Sequence, residues 1–182
     1  MTTARLAPRT ALFLPASNPR AIEKARGLAA DLVILDLEDA VKDADKAMAR
    51  TAAVEAVAQG FGPRLAAIRL NGIESGEHPE DVAAVAASRA DFAVLPKAES
   101  AADVAQVARA LGKPLLAMIE TPLGVLDAAD IAAVAFGPSV QELEEARALI
   151  EAATGGAERY QGRMIETMHV DQARALLERA SD

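Results

Sequence analysis

The chain has 182 residues, of which 52% are hydrophobic, 25% charged and none cysteine. That composition suits a globular domain with its own core and excludes a disulfide framework or thiol chemistry. The formal net charge of −8, from 19 basic and 27 acidic side chains, opposes a nucleic-acid backbone or an anionic membrane as the main partner. The opening MTTARLAPRT lacks the apolar centre of a signal peptide, and no segment reaches the ~18 apolar residues of a membrane span. A cytoplasmic place is the expectation.

In chain order, Ala11–Pro15 is the first predicted strand. Asn18 then caps a helix with Pro19 at its first position. The second strand, Leu32–Leu37, runs into the acids of VILDLEDAV. A helix over Asp45–Gln59, with Met48, Ala52 and Val54 near one side, ends at Gly60. Further strands are predicted at Ala66–Leu70, Phe92–Leu95, Leu115–Ile119 and Ala132–Phe136. Ser100 caps a helix with Val104, Val107 and Leu111 on one stripe, and Gly112 stops it. The strands are short apolar runs without alternation, which fits strands buried on both faces of a parallel sheet. After Gly137 come a helix with Leu143, Ala146 and Ile150 on one face, a short polar piece ending in RMIETM, and a last helix over Val170–Ala180.

Repeated strand–helix units mean an α/β fold. LFLPASNPR after the first strand is not a glycine-rich phosphate loop, so a dinucleotide-binding sheet is the weaker choice. Ionisable residues collect at the ends of successive strands: Asp36, Glu38 and Asp39, then Arg69, then Lys97, then Glu120. In a (β/α)8 barrel those ends converge on one mouth. The count falls short, however, since six strands are visible where such a barrel needs eight and typically ~250 residues.

Six ordered motifs, RTALFLPASNPRAIEKA, ADLVILDLEDAV, IRLNG, FAVLPKAES, LLAMIETPLGVLDA and AVAFG, together resemble the HpcH/HpaI aldolase and citrate lyase beta-subunit-like family. The likeness runs over Arg9 to Gly137 and resumes from Pro138 to Ala180. It implies a (β/α)8 TIM barrel of the phosphoenolpyruvate-utilising type, with Mg2+ as cofactor and carbon–carbon bond cleavage as the reaction. It further implies a CoA thioester such as citryl-CoA or malyl-CoA as substrate, a keto acid and an acyl-CoA as products, and a trimer or hexamer. The family's segment for strands 7 and 8, with an acidic metal ligand, is missing between Gly137 and Pro138. Residues 1–137 then form six barrel units and 138–182 a helical region packed on the barrel or a neighbouring subunit.

The same resemblance assigns roles. Glu120, in IET, is the expected Mg2+ ligand, against a plain capping role before Pro122. Arg69 is expected to hold the keto-acid carboxylate, a task its fork suits, and an ion pair with the Asp36–Asp39 acids is compatible with that. Glu38 and Asp39 match the family's acidic pair near the metal; period-2 geometry sets Asp36 and Glu38 on one face and Asp39 on the other. Arg9 and Lys24 match basic positions near CoA, with surface charge as the alternative. Lys97 balances the acidic mouth or pairs with Glu99. Gly72 and Gly124 are read as serving turns or a close backbone approach. His78 and His169 stand isolated in polar loops and read as surface residues. Two other functions stay open: a metal-dependent aldolase on free hydroxy-keto acids, and a non-catalytic truncated paralogue or assembly subunit.

Overall fold

A computed structural model describes residues 8–136, 140–155 and 159–179. The chain divides into two compact units, Met1–Ile131 and Ala132–Asp182. Among the described residues no helix is long and apolar enough to cross a membrane.

The first unit is built on five parallel strands: β1 (Ala11–Pro15), β2 (Leu32–Asp36), β3 (Leu65–Arg69), β4 (Phe92–Leu95) and β5 (Leu115–Ala117). They lie side by side in chain order, β1-β2-β3-β4-β5. That order separates the singly wound, barrel-type sheet from the doubly wound one, in which strand order reverses at a switch point. The intervening helices are α1 (Pro19–Ala25), α2 (Lys46–Gln59), α3 (His78–Ala87) and α4 (Ala101–Leu111), followed by the short α5 (Pro122–Leu126).

The caps obey the local chemistry. Asn18 accepts from the Ala21 N–H, with Pro19 opening α1. Ser100 accepts from the Asp103 N–H, and Gly112 ends α4 in the left-handed region at φ 60°. Both are satisfied orphan groups of helix ends. In α2 the buried stripe is Ala49, Ala53, Ala56 and Val57, whereas Met48 is 57% exposed. Three alanines and Val57, not Met48 and Val54, therefore form the apolar packing face.

Each face of the sheet has its own apolar cluster. One gathers Val33, Leu35, Ile68 and Leu95 with Val57, Val85, Val104 and Leu111 from the helices. The other is small: Leu32, Ile34, Ala67, Phe92 and Val94, with Leu65 and Met118 against it. Residues alternating along a strand reach opposite faces, so Asp36 and Arg69 continue this second, helix-free face. Their Cα atoms are direct partners in the β2–β3 register.

The sixth predicted strand is not a strand. Ala132–Phe136 belongs to α6 (Ala128–Phe136), whose Asp130 stands in the first turn. A short apolar run does not distinguish a buried strand from a buried helix by period. Here alanine, the strongest helix former, fills most of the segment. The sheet of the described residues therefore holds five of the barrel's expected strands, and Gly137 and Pro138, the expected break point, lie outside the described residues.

The second unit contains α7 (Val140–Thr154), a two-stranded antiparallel hairpin β6 (Arg159–Tyr160) and β7 (Arg163–Met164), and α8 (Thr167–Arg179). Gln161 and Gly162 both have positive φ, 50° and 80°, as a two-residue hairpin turn of the favoured hand requires. The piece read as merely polar is thus this hairpin. The last helix begins three residues before its predicted start. Glu166 donates its N–H to His169 Nδ1 and offers its carbonyl to the His169 and Val170 N–H groups. A 560 Å³ cleft runs between α7, the hairpin and α8, with Leu149, Tyr160, Met164, His169 and Leu176 among its lining.

Candidate active site

The carboxylates at the end of β2 find their partners at the ends of β3 and β4. Arg69 grips Asp36 through two parallel bonds, Nε to Oδ1 at 2.8 Å and Nη2 to Oδ2 at 2.6 Å. The Asp36 side chain is 3% exposed and that of Arg69 12%. Asp36 also accepts the N–H groups of Glu38 and Ala40. Burial alone raises the Asp36 pKa, but the Arg69 bonds and the two backbone donors outweigh it and hold the carboxyl below its usual value. The hydrogen bond to Asp36 in turn raises the already high pKa of Arg69. The guanidinium also lies over the Phe13 ring at 5.4 Å. Asp36 occupies one edge of the five-donor fork, and further Nη N–H donors remain for an incoming carboxylate.

Glu38 stands between two cations. Its Oε1 accepts from Lys97 Nζ at 2.6 Å, and its Oε2 lies 3.2 Å from Arg69 Nη1. That Oε2 is buried yet takes no hydrogen bond from any described residue. Asp39 is exposed, with Oδ1 3.7 Å from Lys97 Nζ. The hydrogen bond from Glu38 raises the Lys97 pKa. Glu120, just beyond β5, accepts the backbone N–H of Lys97 on Oε1 at 2.9 Å. Thr121, not Glu120, caps α5, by accepting the Gly124 N–H. A Cβ on Gly124 would lie 2.4 Å from the Ala98 carbonyl, so that glycine is a close backbone approach of α5 to the loop after β4. Nothing lies within 4 Å of a Cβ on Gly72.

Lys97 is a lysine in the left-handed backbone region, φ 49°. Such a conformation costs roughly 1–2 kcal/mol for a residue with a Cβ, and observed strain of this kind gathers at functional sites. Lys97→Gly keeps the backbone N–H that holds Glu120 and removes the strain, while Lys97→Ala keeps the strain. Both lose the ammonium. Lys97→Gly is therefore expected to be the more stable of the two by about 1 kcal/mol, measured by urea denaturation. Equal midpoints would mean that the φ value stores no strain.

A buried polar network lies beside the cluster. Lys46 Nζ donates to the Leu37 and Glu38 carbonyls and to Asn71 Oδ1. Asn71 donates its N–H and its Nδ2 to Asp81, which also takes Arg50 Nε. His78 Nδ1 meets the Asn71 carbonyl at 2.8 Å, and His78 is 8% exposed. It is a core residue at the start of α3, and His169 lies in α8; neither belongs to a polar loop. The sequence signal for this network was slight: a lysine at the first position of α2 and an asparagine just after Arg69.

Arg9 and Lys24 do not join the cluster. Arg9 precedes β1, with its N–H bonded to Asp31. Lys24 sits in the last turn of α1 and is exposed. Since α1 starts at the C-terminal end of β1 and runs back, both lie toward the opposite end of the sheet.

The residues fit one side of a Mg2+ site. Mg2+ takes oxygen ligands, often one or two carboxylates with the rest from substrate and water. The cluster sets four carboxylates (Asp36, Glu38, Asp39, Glu120) against two cations (Arg69, Lys97), an excess of two negative charges. One divalent cation offsets that excess, and the orphaned Glu38 Oε2 fits a nearby positive charge or bound water. Among the described residues no group of three or more His, Cys, Asp or Glu side chains is placed to hold a metal ion.

A (3S)-malyl-CoA thioesterase of Cereibacter sphaeroides is 46% identical over 127 residues, 69% of this chain and 45% of the relative. A citrate lyase subunit beta-like protein of Mycobacterium tuberculosis is 37% identical over 148 residues, 81% of this chain and 51% of the relative. The structure of a citrate lyase beta subunit from M. tuberculosis, complexed with oxaloacetate and magnesium, superposes with a TM-score of 0.62. It is 32% identical, and the match covers 99% of this chain and 77% of that one. The chain spans about half the length of the curated relatives it matches. Residues 9–144 match the HpcH/HpaI aldolase/citrate lyase family as a whole, and with the ordered parallel sheet and the acidic cluster at its C-terminal edge, the chain belongs to that family.

Proposed function

We propose that this chain carries the substrate-carboxylate and metal side of a Mg2+-dependent carbon–carbon lyase acting on a malyl-CoA- or citryl-CoA-like thioester. The observation that carries the reading is the cluster of Asp36, Glu38, Asp39 and Glu120 around Arg69 and Lys97, spread over adjacent strand ends with two negative charges in excess. Glu120 would hold the Mg2+, with Glu38 and Asp39 beside it. Bound there, Mg2+ supplies Lewis-acid polarisation of the substrate oxygens. Arg69, steadied by Asp36, presents its remaining N–H donors to the substrate carboxylate. Lys97 holds Glu38 in place and limits the repulsion among the acids. In the reaction the hydroxyl proton leaves, the bond between the carbinol carbon and its neighbour breaks, and the electron pair passes into the thioester enolate. Protonation of that enolate gives the acyl-CoA, and the carbinol carbon becomes the carbonyl of the keto acid. Arg9 and Lys24 enter this reading only as phosphate contacts along the outer edge of β1 and α1.

A second reading, thioester hydrolysis, is favoured by the malyl-CoA thioesterase relative. The two differ in product. Incubation with (3S)-malyl-CoA and Mg2+, followed by mass spectrometry, is expected to yield acetyl-CoA and glyoxylate. Malate with free CoA would replace the lyase reading by hydrolysis, and no turnover with either malyl-CoA or citryl-CoA would reject both.

A further inference from the structure

The mechanism leaves one buried cation unused. Lys46 is 8% exposed and opens α2. A lysine there is doubly unfavourable. Its charge loses hydration on burial, and it faces the positive end of the helix macrodipole. All three of its hydrogen-bond partners are uncharged oxygens: Leu37 O at 3.0 Å, Glu38 O at 3.1 Å and Asn71 Oδ1 at 2.6 Å. An ammonium has three donors and no acceptor, so the three bonds use its full capacity.

What those bonds hold is the peptide that carries Glu38. The Glu38 N–H is taken by Asp36 Oδ1 at 2.8 Å, and the Leu37 N–H by the Arg69 carbonyl. The carbonyls of the same two residues go to Lys46. Asn71 is itself fixed through its N–H and Nδ2 to Asp81, at 2.8 and 2.7 Å. The Glu38 backbone is therefore held on both its donor and its acceptor sides, and the side chain it presents is the one whose Oε2 faces Arg69 without a hydrogen bond.

We propose that Lys46 is a positioning residue, whose buried ammonium clamps the Leu37 and Glu38 carbonyls to Asn71 and so sets the Glu38 carboxylate between Arg69 and Lys97. The proposal rests on the lyase reading for its purpose but not for its test. The readout is the placement of the Glu38 carboxylate in crystal structures of the metal-free protein, where Oε1 lies 2.6 Å from Lys97 Nζ. Lys46→Met, which keeps the stem and removes the donors, is expected to release the Leu37 and Glu38 carbonyls and to lengthen that contact beyond hydrogen-bond distance. Lys46→Arg is expected not to restore it, because a planar fork does not match three converging oxygens. An unmoved Glu38 carboxylate in folded Lys46→Met overturns the proposal. Should that variant not fold, Asn71→Ser is expected to give a smaller displacement, and none there overturns it equally. In the wild-type protein the Lys46 ammonium protons are expected to exchange more slowly than those of exposed lysines; equal exchange removes the clamp. Failure of these tests leaves the lyase reading standing. An inactive wild type with a displaced Glu38 in Lys46→Met rejects only the lyase reading.

Discussion

Arg69→Met is expected to cost about 3–5 kcal/mol of folding stability, because it leaves the Asp36 carboxylate buried without its charge partner. For a chain of this size that lowers the thermal midpoint by about 6–20 °C. The pH dependence carries a second signature. In the wild type Asp36 has a lowered pKa. Its contribution is therefore present above the unfolded carboxyl value, about 3.9, and is lost as the pH falls through the still lower folded value. Without Arg69 the sign reverses: burial then dominates, the folded pKa rises, and the deficit of the variant shrinks as the pH falls from 7 toward 4. Asp36→Asn with Arg69→Met closes a double-mutant cycle, and the double variant is expected to recover part of the loss. Thermal scans across that pH range check both points. A deficit below about 1 kcal/mol at pH 7 would show that the pair is not structurally essential. Arg69→Lys is expected to behave much like Arg69→Met, since an ammonium does not reproduce two parallel bonds.

Glu120→Ala carries the largest expected functional loss. Removing even outer partners of metal ligands typically costs 10–100-fold in affinity or activity, so loss of a direct ligand is expected to cost at least about 100-fold. Calorimetry with Mg2+ and oxaloacetate reads binding, and the malyl-CoA assay reads turnover. Folding stability is expected to change by only about 0.5 kcal/mol, because Glu120 is exposed. Glu120→Gln separates its two jobs. The amide oxygen still accepts the Lys97 N–H, so the loop after β4 stays held while the charge is lost. Metal-linked binding is expected to fall as far as in Glu120→Ala. Unchanged Mg2+ binding and turnover in either variant would reject Glu120 as the ligand.

Much of the site was legible in the chain. Acids and bases fall at the ends of short apolar runs, and in a parallel sheet with sequential strands those ends are neighbours. That is why Asp36, Glu38, Arg69, Lys97 and Glu120 meet. Who pairs with whom was less legible. Lys97 bonds Glu38 from another strand, not its near neighbour in sequence Glu99, while its backbone N–H goes to Glu120. His78 looked like a surface residue because no motif includes it; it is buried, with its Nδ1 at the Asn71 carbonyl.

The boundary between the two sources of information follows the range of the forces. The amino-acid order by itself determined the repeating strand–helix units, the caps at Asn18 and Ser100, the left-handed stop at Gly112 and the placing of charge at strand ends. These depend on contacts within a few residues. It did not determine whether Ala132–Phe136 is strand or helix, since a short apolar run satisfies both until its neighbours choose. Tertiary structure alone decided that α2 packs through alanines, that Arg9 and Lys24 lie away from the acids, and that Lys46 is buried under Glu38. Each of these rests on groups brought together from distant parts of the chain, where the cost of burying a charge or an unbonded oxygen is set by partners that no local pattern names.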